Sequence, residues 1–169
     1  MEPRERTDLL KHDTVLLHRI SQINTDRVFN DALEALKSHE KLVRLQITCQ
    51  NGLGNLELSE ARLRRLAEVL RSPHVSAKLK ELNIGGACID PNGMATLAGA
   101  LKGCASLTEI VLDDAKTIGE EGAKELLKHL SQAGCKCKLE KLEFGRDKVA
   151  KALHEKFKPL LVQNKQQKV

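Results

Sequence analysis

Four copies of one apolar pattern run along the chain. Each copy has a leucine, two further residues, an aliphatic residue, one further residue and a last apolar residue, and the copies begin at Leu42, Leu79, Leu107 and Leu139. Apolar and polar positions alternate at the end of each copy, which is typical of a short β-strand with one buried face. The pattern therefore predicts strands near residues 42–48, 79–85, 107–113 and 139–145.

An amphipathic stretch with helical spacing follows each of the first three predicted strands. Ser59 and Asp90 precede two of these stretches and are of the types that cap helices, and Pro91 suits a first helical position. A strand followed by a helix, repeated along the chain, predicts parallel strands with helices packed behind them. The apolar positions assigned to the three helices are Leu63, Leu66, Ala67, Leu70, Met94, Leu97, Ala98, Leu101, Ala123, Leu126, Leu127 and Leu130.

Two strand-to-helix connections agree in detail. An aliphatic residue, a glycine and a leucine are spaced by four and four residues in each, first as Ile89, Gly93 and Leu97 and again as Ile118, Gly122 and Leu126. We interpret the aliphatic residue as filling the turn, the glycine as allowing close approach of the helix, and the leucine as packing inward.

These residues resemble leucine-rich repeats of the ribonuclease-inhibitor type, which NOD-like immune receptors also carry, over residues of about 40 to 146. The resemblance implies an α/β fold: a short leucine-rich-repeat solenoid with a parallel sheet on its concave side, helices outside and helical caps at both ends. The chain departs from the family at Gln50, Ala87 and Ala115, where the family usually has Asn or Cys. Together with extra residues in the first and third copies, this departure indicates turns that are looser or rearranged.

The predicted organisation has three parts. Residues 1–40 form an N-terminal helical cap, in which Val15 to Ile20 is either the end of a capping helix, the alternative that we prefer, or a strand of a degenerate repeat. Residues 41–146 hold the repeats. Residues 147–169 form a C-terminal capping helix, ended or bent at Pro159, and a frayed basic tail.

Composition indicates a globular protein with an aliphatic core. Hydrophobic residues make up 41% and charged residues 30% of the chain, whereas aromatic residues make up only 2%. The net charge is +5, with a basic excess after Gly134. A nucleic-acid or membrane-surface role is not favoured, because acidic residues are interspersed and base-stacking aromatic residues are scarce.

The expected location is the cytoplasm. The N-terminus lacks the apolar stretch of a secretory signal, and no run is long enough for a membrane span. Five cysteines, an odd number without framework spacing, fit reduced thiols.

The sequence predicts neither a catalytic site nor a cofactor site. It contains no phosphate-binding loop of the G-x-x-x-x-G-K-[ST] kind, so nucleotide hydrolysis is not expected. Cys135 and Cys137, with His129 nearby, are of the types that bind a metal ion, but one close thiol pair does not close a site and a connecting loop is the favoured interpretation. We therefore expect no enzyme activity and no metal.

The candidate partner-binding residues are those whose side chains alternate with the buried strand positions. In the centre of this set the side chains are acidic, which predicts a partner protein with a basic or mixed-charge segment, whereas an ordinary solvated sheet face is the alternative. The set comprises Arg44, Gln46, Thr48, Glu81, Asn83, Gly85, Glu109, Val111, Asp113, Lys141, Glu143 and Gly145.

The function predicted from the resemblance is a non-catalytic protein-protein interaction module, similar to the recognition end of an innate immune receptor or to an adaptor. The alternative is a regulator or inhibitor of an enzyme or GTPase, because related repeats include ribonuclease inhibitors and Ran GTPase-activating proteins. The latter use an arginine from a repeat loop, for which Arg44 is the only strand candidate here. An exposed end repeat would also permit oligomers.

Overall fold

A computed structural model describes residues 13–18, 26–48, 56–85, 87–112, 118–144 and 148–166. The strands in this part of the chain are β1 (Thr14–His18), β2 (Arg44–Thr48), β3 (Leu56–Glu57), β4 (Glu81–Asn83), β5 (Ala87–Cys88), β6 (Glu109–Val111) and β7 (Lys141–Glu143). The helices are α1 (Asp26–Lys37), α2 (Glu60–Arg71), α3 (Pro73–Lys78), α4 (Pro91–Leu101), α5 (Gly119–Leu130) and α6 (Lys148–Gln166).

Five strands form one parallel sheet in the order β1, β2, β4, β6, β7. Its register places Leu45 beside Leu82, Leu82 beside Ile110, and Ile110 beside Leu142. The predicted α/β fold with a parallel sheet is therefore confirmed. The short strands β3 and β5 pair in parallel to form a second, two-stranded sheet.

The first strand corrects the preferred interpretation of the N-terminal region. Thr14–His18 is a strand that pairs in parallel with β2, with Val15 beside Leu45, and Val15 is buried. The helical interpretation of Val15 to Ile20 is thus wrong for the described residues, whereas Ile20 lies outside them. A short segment forms a strand when a neighbouring strand is available for pairing. For Thr14–His18 this neighbour is β2, which lies much later in the sequence.

One carbonyl group per strand fixes the register at the amino-terminal ends of the sheet. The carbonyl oxygen of Asp13 accepts bonds from two amides at the start of β2, and Val43, Lys80 and Thr108 do the same for β4, β6 and β7. The N···O distances lie between 2.7 and 3.2 Å. We call this set the amino-end ladder; because it repeats at each strand, the five strands occupy equivalent positions.

The apolar pattern coincides with the core. All of its twelve leucine, aliphatic and aromatic positions are buried, and they pack with the inward faces of the helices. Ser59 and Asp90 cap α2 and α4 as expected, each accepting a bond from a backbone amide of the first helical turn. Since the burial of apolar area is the main stabilising contribution, this strand-on-helix layer determines the fold.

The two repeated glycines lie where helices approach the preceding turn. A Cβ added at Gly93 would lie 2.4 Å from Leu63 Cδ1, and one added at Gly122 would lie 2.8 Å from Ile118 Cγ2. An added methyl group would therefore force a neighbouring side chain to shift at both positions, in agreement with the close approach that the sequence pattern indicates.

The extra residues of the third copy do not lengthen its connection from strand to helix. The connections from strand to helix span residues 84–90 and 112–118 in the second and third copies, so they have equal length. The extra residues instead lie after the helix, since residues 131–140 join α5 to β7 whereas residues 102–108 join α4 to β6. Ala87 pairs through its backbone with Leu56, whereas Gln50 and Ala115 lie outside the described residues.

The last helix continues through Pro159 to Gln166, which corrects the prediction that this residue ends it. Leu153, Phe157 and Leu161 are buried, and the ring of Phe157 lies 5.4 Å from that of Phe144. Beyond the proline, the Nδ2 atom of buried Asn164 donates to the Leu139 carbonyl at 2.9 Å. Contacts on both sides of Pro159 thus hold the helix together across a residue that cannot donate a helical hydrogen bond.

Candidate interaction surface

The face of the five-stranded sheet that lies opposite the core carries the candidate residues; we call it the open sheet face. On it Arg44, Lys141 and Glu143 are exposed, and Gln46, Glu81, Asn83 and Glu109 are partly exposed. The described members of the open sheet face are Arg44, Gln46, Glu81, Asn83, Glu109, Val111, Lys141 and Glu143.

Five of the candidate residues are not available as predicted or cannot be judged. Val111 is only 7% exposed and Gly85 is buried, so neither offers much surface to a partner. The side chain of Thr48, at the end of β2, is outside the described part of the structure. Asp113 and Gly145 also lie outside it.

Ion pairs connect neighbouring strands across the open sheet face. Arg44 pairs with Glu81, and Lys141 pairs with Glu109 at 2.6 Å and with Glu143 at 2.9 Å. The carboxylates of Glu109 and Glu143 raise the pKa of Lys141 above its usual range. These ion pairs therefore largely neutralise the negative charge expected at the centre of the face. The sequence alone does not predict them, because it does not place these residues together.

Glu81 and Glu109 are direct neighbours in the register of β4 and β6. Each has its cation on the outer side, so the charges across β2, β4, β6 and β7 run positive, negative, negative, positive. A hollow of about 290 Å³ opens at this end of the strands, and both glutamates line it with Arg44 and Lys80. The arrangement offers two adjacent carboxylates to a cation from outside.

Asn83 adds an unused acceptor to the same face. Its Oδ1 atom is buried and has no hydrogen-bond partner among the described residues. An unsatisfied buried polar atom costs about 1–3 kcal/mol, so this oxygen lowers the stability of the fold.

Three thiols lie near one another beside the connection from α5 to β7. Burial, together with a smaller effect of nearby Cys135, raises the pKa of Cys104 and of Cys137 to about 12. Cys135 is partly exposed, and its Sγ lies 3.8 Å from the Lys102 carbonyl oxygen. Side chains of Cys49 and Cys88 lie outside the described residues.

The part of the chain that the structure describes contains no cluster of three or more His, Cys, Asp or Glu residues suited to a metal ion. His129, Cys135 and Cys137 thus do not form the metal cluster weighed from their spacing. Within the same residues, no helix is both long and apolar enough to cross a membrane.

Comparison by sequence finds no match, either to a protein-family model or to a curated protein. Comparison of structures finds actin-binding site 2 of leiomodin-1, with a TM-score of 0.72 and 17% identity, covering 98% of this chain and 87% of that chain. It also finds the C-terminal domain of tropomodulin from Caenorhabditis elegans, with a TM-score of 0.70 and 12% identity, covering 99% of this chain and 95% of that chain. At such low identity the likeness shows a shared fold.

These neighbours overturn the resemblance to ribonuclease-inhibitor-type repeats and to NOD-like receptors. Innate-immune recognition and regulation of an enzyme or GTPase lose their support with it. The resemblance was misleading because the apolar pattern reports only strand and core positions. Several kinds of repeat-like domain have such positions in common. The departures at Gln50, Ala87 and Ala115 were the features of the sequence that pointed away from that family.

Proposed function

We propose that the chain is a non-catalytic module that binds another protein through the open sheet face. In this proposal it is a short solenoid of strand–helix units, with the sheet on the concave side, helices capping both ends, and its place of action in the cytoplasm. The observation that carries the proposal is the row of cross-strand ion pairs around the adjacent carboxylates of Glu81 and Glu109.

A basic or mixed-charge segment suits this face. A partner's Lys or Arg side chain placed between Glu81 and Glu109 would meet two carboxylates, each already oriented by an internal cation. Preorganised groups reduce the entropy lost on binding, and opposite charges accelerate encounter.

Actin is the first partner to test, because one structural neighbour is an actin-binding site. The chain should co-sediment with actin filaments or bind actin monomers in an anisotropy titration. Replacing both carboxylates, in Glu81→Gln/Glu109→Gln, should weaken that binding by about tenfold, because two charge-assisted contacts are lost.

A matched control removes two carboxylates from the helical side. Glu60 and Glu121 are exposed on α2 and α5, so Glu60→Gln/Glu121→Gln should bind actin like the parent chain. Circular dichroism of each variant checks folding. If the parent chain binds neither form of actin, actin is not the partner; if both double variants bind equally well, the open sheet face is not the surface.

A further inference from the structure

A groove separates α5 from α6 on the side of the molecule away from the open sheet face. Residues 131–138, the loop lengthened in the third copy, form its floor with parts of both helices, and its volume is about 390 Å³. This is near the lower end of the roughly 300–1,000 Å³ usual for binding pockets.

Apolar side chains make up one part of the groove lining, beside the polar side chains of Ser131, Gln132, Gln163 and Asn164. Leu127 and Leu130 of α5 face Pro159 and Leu160 of α6, with Cys135 between them. Leu127, Leu160 and Cys135 are partly exposed although they pack against the core. A groove with apolar surface between two helices can bind a peptide by enclosing one of its apolar side chains.

The rim of the groove is positively charged. Lys138 and Lys156 line it, and none of the described residues that line it is acidic. Lys156 is oriented by Glu120, 2.6 Å away, and the Lys102 ammonium reaches the groove residue Gln132 at 3.1 Å. Residues 136–169 contain ten Lys or Arg against four Asp or Glu, so the surrounding field is also positive.

We infer that the groove between α5 and α6 binds a protein segment that carries an aliphatic side chain next to acidic side chains. The aliphatic group would contact the leucine floor while the carboxylates meet Lys138 and Lys156. The lining residues include no aromatic ring on which a nucleic-acid base could stack, which favours a peptide over a nucleic acid. This site is separate from the open sheet face and does not rest on the function proposed there.

Random peptides displayed on phage and selected on the full chain provide the probe. Selected peptides should combine Asp or Glu with Leu, Ile or Val, and a synthetic copy should bind in a fluorescence anisotropy titration. The double variant Lys138→Glu/Lys156→Glu should weaken this binding by about tenfold or more. Gln163→Glu, which adds one negative charge at an exposed lining position without breaking the Lys156–Glu120 pair, should weaken it by a smaller factor.

The control reverses the same number of charges elsewhere on α6. Lys151 and Lys158 are exposed and do not line the groove, so Lys151→Glu/Lys158→Glu should retain most of the affinity. Glu81→Gln/Glu109→Gln should leave peptide binding unchanged, which separates this site from the open sheet face. Bound peptide should also slow alkylation of Cys135. Mass spectrometry of the proteolytic fragment of the chain that contains Cys135 measures this rate.

Four outcomes would overturn the inference. They are selected peptides without acidic residues, equal loss of affinity in the Lys151→Glu/Lys158→Glu control, alkylation of Cys135 that bound peptide does not slow, and failure to select any peptide. An oligonucleotide or an anionic phosphatidylserine vesicle that protects Cys135 where no peptide does would likewise contradict a peptide site.

Discussion

Single glycines in this fold decide how closely a helix can approach its neighbours. In Gly93→Ala the new methyl group would collide with Leu63 and crowd the Asp90 carboxylate, 3.0 Å away, which caps α4. We expect the free energy of unfolding to fall by about 1–3 kcal/mol, as is usual for overpacking. Urea unfolding followed by circular dichroism measures the change.

Gly99 provides the control on the same helix. A methyl group there would contact only Arg71 Nη2, at 3.8 Å, so Gly99→Ala should raise stability by up to about 1 kcal/mol through helix propensity. If both substitutions stabilise the protein equally, Gly93 has no role in packing.

The buried thiols make stability depend on alkaline pH. Cys104 and Cys137 have a pKa of about 12 in the folded chain, against 9.0 for an unburied thiol, because burial disfavours the thiolate. The contribution of these thiols to stability should therefore be constant below pH 9 and be lost as the pH rises from 9 towards 12, since the unfolded chain loses these protons first. The change corresponds to about 4 kcal/mol per thiol.

Urea titrations at a series of pH values test this dependence. In Cys104→Ala/Cys137→Ala the alkaline loss should be much smaller than in the parent chain, even if the variant is less stable at neutral pH. The chain has no Tyr, so thiolate absorbance in the ultraviolet is not overlapped by tyrosinate. An identical alkaline loss in parent and variant would contradict the assignment to these thiols.

At the level of elements, α6 is held by its contacts despite an internal proline. Pro159→Ala restores an amide that can bond to the Glu155 carbonyl and removes a steric clash, so stability should rise, by about 3 kcal/mol at most. Thermal and urea unfolding would show the increase. Pro73→Ala is the control, because Pro73 starts α3, where the amide has no helical partner. A loss of stability in Pro159→Ala would mean that the proline is required for packing.

The contrast between α6 and β1 shows which elements the sequence could predict. For helices with a marked apolar spacing and a capping residue, such as α2 and α4, the start and the inward-facing positions were predicted correctly. The strand at Thr14–His18 was missed in favour of a helix, because its five residues acquire their structure from pairing with β2. The continuation of α6 past Pro159 depends in the same way on tertiary contacts of Leu161 and Asn164.

For the whole molecule, the apolar pattern predicted the parallel sheet but not the chemistry of its surface. Alternation along the strands predicted that Arg44, Glu81 and Lys141 share one face of the sheet. The register of the strands agrees with this placement. The alternation could not predict the compensating ion pairs, since these join side chains of different strands. The groove between α5 and α6 was missed because its two walls are separate helices in the sequence, and only the long loop of the third copy pointed to it.

The amino-end ladder also has a consequence for how the protein is made. In every step the accepting carbonyl belongs to the strand that is synthesised earlier: Asp13 before β2, Val43 before β4, Lys80 before β6 and Thr108 before β7. In a nascent chain leaving the ribosome, the accepting carbonyl for each later strand is made before that strand, so each strand can pair with its predecessor as soon as it is synthesised. Growth can thus proceed one unit at a time from the amino terminus, as nearest-neighbour architectures allow.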